Sequence, residues 1–130
     1  MKRLPRRRLL PLATAVAAVA AGCGGSADSG PAETVPAGAL EVKAVASLKF
    51  DAESYGPVPA GEVTLGYVNE ENIRHTLIIA KDDTKVPNFK LVVEDKGSVD
   101  VGTVALEAGT YTLICDVPGH GNMRATLTVE

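Results

Sequence analysis

Soft metal ligands are concentrated in one short stretch near the carboxyl end of the chain. Cys115, His120 and Met123 place a thiolate, an imidazole and a thioether within nine consecutive residues. A second imidazole, His75, lies forty positions before Cys115. The sequence has two histidines in all, Met123 is the only methionine besides the initiator, and Cys115 is the only cysteine beyond the N-terminal leader. This concentration indicates a metal site rather than four unrelated side chains.

The four side chains match the requirements of a copper ion that exchanges single electrons. Such an ion alternates between Cu(I) and Cu(II) and needs ligands that both states accept. Soft sulfur suits Cu(I), imidazole suits both states, and a His, His, Cys set with a weak axial thioether combines them. The sequence therefore predicts one mononuclear copper site for electron transfer, with four ligands: His75, Cys115, His120 and Met123.

These ligands need strands and a turn to bring them together. Cys115 ends one predicted strand, and Met123 lies at the start of another. Between them, Pro118 fixes one backbone angle and Gly119 relaxes the next, so the chain can turn His120 inward. His75 begins a separate strand and is expected to complete the site from a neighbouring layer.

Short β-branched runs between turn residues, with little helical periodicity, predict an all-β sandwich. The predicted strands cover residues 40–50, 62–69, 75–80, 91–93, 98–106, 110–115 and 124–129. Residues 51–61, which contain two glycines and two prolines, and residues 81–90 are predicted as loops. Together these elements form one predicted domain over residues 39–130, long enough for a single core.

The N-terminal residues have the pattern of an export signal. Five basic residues precede an apolar run from Leu9 to Ala21, and small residues stand directly before Cys23. Residues 1–22 are therefore predicted as a signal peptide. The small residues before Cys23 resemble a bacterial lipobox, which predicts a lipid on Cys23; an ordinary signal cut near Ala21 is the alternative. Residues 23–38, rich in Gly, Ala, Ser and Pro, are predicted as the lipidated Cys and a flexible linker.

The net charge of the chain limits the classes of molecule that it could bind. Removing residues 1–22 leaves 8 basic and 16 acidic residues, a formal net charge of −8. Such a chain has no basic surface for nucleic acid. Its acidic character is compatible with steering toward a basic partner or with surface solvation alone. Four acids in the predicted loops are interpreted as solvated: Glu70, Glu71, Asp82 and Asp83.

The segment from Ala108 to Val129 resembles a known family. Its motif, Ala-Gly-Thr-Tyr before Cys115-Asp-Val-Pro-Gly-His120-Gly-Asn-Met123, together with Asn69 and His75, resembles the cupredoxins of the plastocyanin and azurin type. This resemblance implies a Greek-key β-sandwich over residues 40–130. It implies copper held by the imidazoles, the thiolate and an axial thioether, and a role in carrying single electrons between larger redox proteins. It also implies that electrons leave through the edge of His120.

Three positions depart from the usual pattern. His120 and Met123 are separated by two residues, a short gap similar to that of amicyanin-like members. Thr76 follows His75 where Asn is common, so Thr76 or Asn69 is expected to replace that tie between ligand segments. Arg74 puts a positive charge before His75, and we expect it to raise the reduction potential modestly. An Arg74→Ala protein with an unchanged or higher potential would contradict this expectation.

The alternatives to electron transfer are a copper protein for scavenging or delivery and an enzyme. Delivery proteins often display several exposed Met and His ligands, whereas this chain has no surplus. Copper oxidases and nitrite reductases need further histidines, and a dinuclear centre needs a second cysteine in the loop. We therefore predict no enzyme activity and no small-molecule substrate. The predicted protein is exported, anchored to the outer face of the cell membrane through Cys23, and exchanges electrons with redox proteins.

Overall fold

The computed structural model describes residues 30–130 and resolves that part of the chain into strands and connecting turns. The strands are β1 Gly30–Ala32, β2 Leu40–Val45, β3 Lys49–Phe50, β4 Ser54–Val58, β5 Gly61–Asn69, β6 His75–Lys81, β7 Thr84–Lys85, β8 Leu91–Val93, β9 Val99–Leu106, β10 Gly109–Ile114 and β11 Arg124–Val129. The predicted signal peptide and Cys23 lie outside the described residues. Within residues 30–130, no helix is long and apolar enough to cross a membrane.

The strands form two sheets. The first has the order β1-β9-β5-β2-β3, and the second has the order β4-β11-β10-β6-β7, with β8 also paired to β6. In the first sheet, β5 and β9 are antiparallel over an unbroken register from Gly61↔Leu106 to Val68↔Val99. In the second, β10 lies between β6 and β11 and is antiparallel to both. The predicted all-β sandwich is confirmed.

Alternation along the strands builds the core. On β10, Tyr111 and Leu113 are buried while the residues between them are partly exposed or exposed, as expected for a half-buried strand. Strand β11 repeats the pattern with Ala125, Leu127 and Val129. Strand β6 is buried at six of its seven positions, which fits its place between β10 on one side and β7 and β8 on the other. The apolar faces of the two sheets meet in one cluster.

The register brings four strand ends to one end of the sandwich. Ile114, the last residue of β10, pairs with Arg124 at the start of β11 and with Ile78, three residues after the start of β6. In the other sheet, β5 ends at Asn69, six residues before His75. We call this the ligand end of the sandwich, defined by Asn69, His75, Ile114 and Arg124. It contains the predicted ligands because they directly adjoin these strand ends.

The segment before β2 lies against the first sheet. Strand β1 pairs with β9 through Gly30↔Val101 and Ala32↔Val99. Farther along, the side chain of Val35 occupies the space where a side chain on Gly66 would be. Residues 30–38 fall within the stretch predicted as a flexible linker, and β1 and Val35 together form a strap across the sheet.

Three further elements differ from the sequence-based expectations. The predicted strand over residues 40–50 is divided into β2 and β3 by a turn at Ser47 and Leu48, which both have positive φ. The predicted loop over residues 51–61 contains β4, a parallel partner of β11 at the edge of the sheet. The predicted loop over residues 81–90 contains the short strand β7. Gly and Pro in β4 concealed it, and an edge strand is where a sheet tolerates Pro.

Tyr67 on β5 carries an unsatisfied polar group in the core. Its side chain is fully buried and packs against Phe50, with ring centroids 6.1 Å apart. The hydroxyl has no hydrogen-bond partner among the described residues, and burial raises the pKa of Tyr67 well above its ordinary value. Tyr111, by contrast, donates from its hydroxyl to the carbonyl oxygen of Glu107 at 2.9 Å.

We expect Tyr67→Phe to raise the free energy of unfolding by about 1–2 kcal/mol, because it removes a buried donor that lacks an acceptor. The matched control is Tyr111→Phe, which loses a real hydrogen bond and should lower the free energy of unfolding by about 1 kcal/mol. Urea denaturation of both variants measures the difference. Equal destabilisation by the two substitutions would show that the Tyr67 hydroxyl has a partner in solution.

Candidate metal centre

Cys115 lies directly after β10 and follows the inward alternation of Tyr111 and Leu113. Its side chain is almost completely buried, with 1% exposure, and its thiol forms no disulfide within residues 30–130. The backbone N–H of Cys115 donates to the carbonyl oxygen of Met123 at 3.2 Å. This hydrogen bond closes the loop between β10 and β11 at its base, so the thiol has a fixed position.

The loop from Asp116 to Asn122 is held by its own backbone. The N–H of His120 donates to the carbonyl of Val117, and the N–H of Met123 donates to the carbonyl of His120, each at 2.9 Å. Gly119 has a φ of 88°, a left-handed conformation that glycine adopts without a steric penalty. The predicted turn at Pro118-Gly119 is thus present. His120 follows it and is the one partly exposed member of the histidine pair.

His75 is the first residue of β6 and is fully buried. One ring nitrogen, Nε2, lies 2.7 Å from a carboxylate oxygen of Glu71. A carboxylate accepts, so Nε2 carries the proton and Nδ1 presents a lone pair. Nδ1 has no hydrogen-bond partner among the described residues. A buried acceptor without a donor requires an explanation, and a bound metal ion supplies one.

The three donor atoms converge on one point. The thiol of Cys115 and one nitrogen from each of His75 and His120 all lie within 4.8 Å of one another. The Sγ of Cys115 is 3.6 Å from Nδ1 of His120, and the two imidazole rings have centroids 4.9 Å apart. Two ligands of one metal ion, with bonds near 2.0–2.3 Å and ordinary coordination angles, are separated by about 3.5–3.8 Å. The 3.6 Å separation of Cys115 and His120 matches two ligands of one ion, and the His75 nitrogen lies within reach of both. A thiolate with two imidazoles suits copper or zinc.

Met123 is fully buried and stands between the loop and β11. Its carbonyl receives the N–H of Cys115 and its own N–H reaches the carbonyl of His120, so its backbone is tied to two predicted ligands. This position agrees with the sequence-based prediction of an axial thioether. The full ligand set of His75, Cys115, His120 and Met123 stays a prediction.

Solved structures of other proteins share this arrangement of strands. Auracyanin B is 26% identical, with a TM-score of 0.62, over 78% of this chain and 97% of its own. The chain has the cupredoxin fold. Auracyanin A, a "blue" copper protein from Chloroflexus aurantiacus, is 22% identical with a TM-score of 0.57, over 71% of this chain and 98% of its own. Amicyanin from Paracoccus versutus is 24% identical with a TM-score of 0.56, over 78% of this chain and 92% of its own.

The likeness is one of structure. No model of a protein family matches the sequence, and the search of curated proteins found no match. The resemblance to cupredoxins that the ligand loop indicated is confirmed by the structural neighbours.

Thr76 provides the tie that the cupredoxin resemblance led us to expect at this position. Its backbone N–H lies 3.5 Å from the sulfur of Cys115. Its hydroxyl donates to a carboxylate oxygen of Asp116 at 2.5 Å and accepts the backbone N–H of Asp116 at 2.9 Å. The start of β6 and the end of β10 are thereby linked beside the thiol. Thr76, rather than Asn69, joins the two ligand segments.

Asp116 is fixed by several neighbours. Its carboxylate lies 3.0 Å from Nζ of Lys90 and 3.7 Å from Nζ of Lys85. Partial burial opposes ionisation of this carboxyl. The hydrogen bond from Thr76 and the bond and charge of Lys90 outweigh that effect, and they hold the pKa of Asp116 below its ordinary value. No pattern in the sequence indicated this contact, since Thr76 and Asp116 are forty positions apart.

Asn69 fastens the loop that leads to His75. Its amide nitrogen donates to the carbonyl of Ile73 at 2.7 Å, and its side-chain oxygen accepts the N–H of Glu71 at 2.8 Å. The loop therefore presents Glu71 to His75. The interpretation of Glu71 as a solvated acid was wrong: its side chain is 19% exposed and contacts a predicted ligand. The signal available in the sequence was the four-residue spacing between Glu71 and His75.

Arg74 is half exposed and pairs with Glu94 at 3.4 Å. The pairing offsets part of the positive charge that the sequence places before His75, and an exposed pair is screened by solvent. The modest rise in potential expected from Arg74 stays a prediction.

We expect Glu71→Gln to weaken metal binding by about 10–100-fold, because the carboxylate that orients the ring of His75 is lost. Competition with a chelator of known affinity measures the change. Glu70→Gln is the matched control: Glu70 is exposed and pairs with Lys43 at 3.7 Å rather than with a ligand. Equal metal affinity in the Glu71 variant and the control would contradict a role for Glu71 in positioning His75.

Proposed function

We propose that this protein is a mononuclear copper protein that carries single electrons between redox proteins. The observation that carries the proposal is the convergence of one thiol and two imidazole nitrogens within 4.8 Å, with the buried Nδ1 of His75 lacking any partner among the described residues. The donor chemistry favours copper, because sulfur and imidazole together suit both of its oxidation states. A structural neighbour described as a blue copper protein adds support.

Copper, when bound, supplies the one-electron couple. The chain supplies a rigid cavity: His75, Cys115 and Met123 are buried, and backbone hydrogen bonds tie the last two to each other. Ligands that are held before the electron arrives do not have to rearrange when the charge changes. The function needs only a stable site and an exit, so the proposal includes no substrate and no catalytic residue.

The proposed exit is His120. Of the four predicted ligands it alone is partly exposed, and it follows exposed Pro118 and Gly119. A redox protein that contacts this end of the sandwich approaches the site through one imidazole ring. We propose that both the electron donor and the acceptor dock there.

We further propose that the protein works outside the cytoplasm, anchored to the cell membrane by a lipid on Cys23. The basic and apolar leader of residues 1–22 and the small residues before Cys23 support this location. Cell fractionation tests it: the protein should be found with the membrane, and Cys23→Ser should release it or prevent its processing. An unaltered membrane association of the Cys23→Ser protein would contradict the anchor.

The visible absorption spectrum tests the copper site. One equivalent of Cu(II) should produce an intense thiolate-to-copper charge-transfer band, which ascorbate bleaches by reduction. Cys115→Ser should lack the band, whereas Arg124→Lys, at an exposed position beside the loop, should keep it. A colourless wild-type protein would overturn the proposal. Rapid loss of copper to a chelator would instead favour delivery over electron transfer.

A further inference from the structure

The hydroxyl of Thr76 lies between two acceptors. Its oxygen is 2.5 Å from Oδ1 of Asp116 and 3.6 Å from the sulfur of Cys115. A threonine hydroxyl has one proton and donates it to one acceptor at a time. The carboxylate is charged and far closer, so it takes the proton. The sulfur then keeps one donor from this residue, the backbone N–H at 3.5 Å.

The competing carboxylate is held at one oxygen by Thr76 and at the other by two lysines. Lys90 and Lys85 lie on the side of Oδ2, at 3.0 and 3.7 Å. The backbone N–H of Asp116 donates to the same Thr76 hydroxyl oxygen that donates to its side chain. These two reciprocal hydrogen bonds fix both the hydroxyl and the carboxylate. The hydroxyl proton of Thr76 therefore points toward Asp116 rather than toward sulfur.

We propose that Asp116 is a positioning residue that withholds the Thr76 hydroxyl proton from the sulfur of Cys115. The inference rests on the proposed copper site. Hydrogen bonds to the cysteine sulfur tune the reduction potential of such sites. An additional donor draws electron density from sulfur, weakens its donation to the oxidised ion and raises the potential. By engaging the Thr76 hydroxyl, Asp116 preserves the electron-rich sulfur and a lower potential.

Two substitutions of Asp116 separate the effect of the Thr76 hydroxyl proton on the reduction potential from the effect of the carboxylate charge. Asp116→Asn removes the negative charge but retains an oxygen that can accept from Thr76. Asp116→Ala removes both the charge and the acceptor, so the hydroxyl is free to turn toward sulfur. Both substitutions should raise the reduction potential. At a fixed ambient potential, the ratio of reduced to oxidised protein should be roughly tenfold higher for Asp116→Ala than for Asp116→Asn. The charge-transfer band of Asp116→Ala should also shift relative to Asp116→Asn.

The same pair in a Thr76→Val background completes the test. Valine keeps the backbone N–H to sulfur and the shape of the side chain but has no hydroxyl. There, Asp116→Ala and Asp116→Asn should give equal potentials. If the tenfold difference persists without the hydroxyl, or never appears with it, the inference is overturned and only the charge of Asp116 acts on the site.

A measurement on metal-free protein distinguishes this inference from the copper proposal. A hydroxyl proton held by a carboxylate exchanges slowly with water, so Thr76 should give a protected hydroxyl signal by NMR. That signal should survive in Asp116→Asn and move or vanish in Asp116→Ala. Its absence from wild-type protein overturns the inference even where copper binds, whereas failure to bind copper with the signal present overturns the proposed function alone.

Discussion

Copper should raise the free energy of unfolding of this protein by about 4 kcal/mol when free copper exceeds its dissociation constant a thousandfold. The expected gain is large because the site exists only in the folded state. His75 begins β6 and Cys115 directly follows β10, forty positions later, and unfolding separates them. A bound ion would also satisfy Nδ1 of His75, which has no hydrogen-bond partner among the described residues. Chemical denaturation of metal-free and copper-loaded protein measures the difference.

Two variants make the expected gain specific. Cys115→Ser removes the soft ligand and should abolish most of the stabilisation, while leaving the metal-free protein close to wild type. Glu70→Gln changes an exposed acid in the connection between β5 and β6 and should leave the full stabilisation by copper. Equal stabilisation of wild type and Cys115→Ser would mean that copper binds elsewhere, and the predicted ligand set would then be wrong.

Leu113→Ala should lower the free energy of unfolding by about 2–5 kcal/mol, because it leaves a cavity that the surrounding strands cannot fully close. Leu113 is completely buried in the central strand of the second sheet, paired with Ile79 and Ala125. It lies two positions before Cys115 on the same face. We therefore expect the cavity to loosen the strand end that carries the thiol and to weaken copper binding as well.

Thr112→Ala is the matched control for this cavity. Thr112 is the neighbour of Leu113 on the opposite face of β10 and is partly exposed, so its truncation should cost less than about 1 kcal/mol. Denaturation and copper titration of both variants provide the comparison. Similar losses of stability in the two would contradict the assignment of Leu113 to the core.

Local pattern was enough to predict the ligand loop and most of the sandwich. Cys115, His120 and Met123 are close in sequence, so their proximity follows from one turn, and Pro118-Gly119 predicts that turn. Strands β10 and β11 show clean alternation because one face of each is buried. The position of His75 at the start of a strand was also readable, since an apolar run follows it directly.

The remaining features depend on tertiary contacts that no local pattern reveals. Strand β4 contains Gly56 and Pro57 and forms only because β11 offers a parallel edge. Strand β1 forms because the edge of β9 is free to pair. The contact between Thr76 and Asp116 joins the start of β6 to the loop after β10, and these segments meet only after the sheet has formed. The sequence shows which hydrogen-bonding groups are available, whereas the fold determines which of them bond to each other.

With a lipid on Cys23, the strap formed by β1 and Val35 would limit how far the domain can move from the membrane to reach a partner. Six residues, 24–29, separate Cys23 from β1, and fully extended they span at most about 20 Å. Because β1 is antiparallel to β9, the chain within β1 runs toward the ligand end of the sandwich. With a lipid on Cys23, the copper centre would explore a shallow layer beside the bilayer. Its rate of electron exchange would then follow the surface density and lateral diffusion of its partners rather than their bulk concentration.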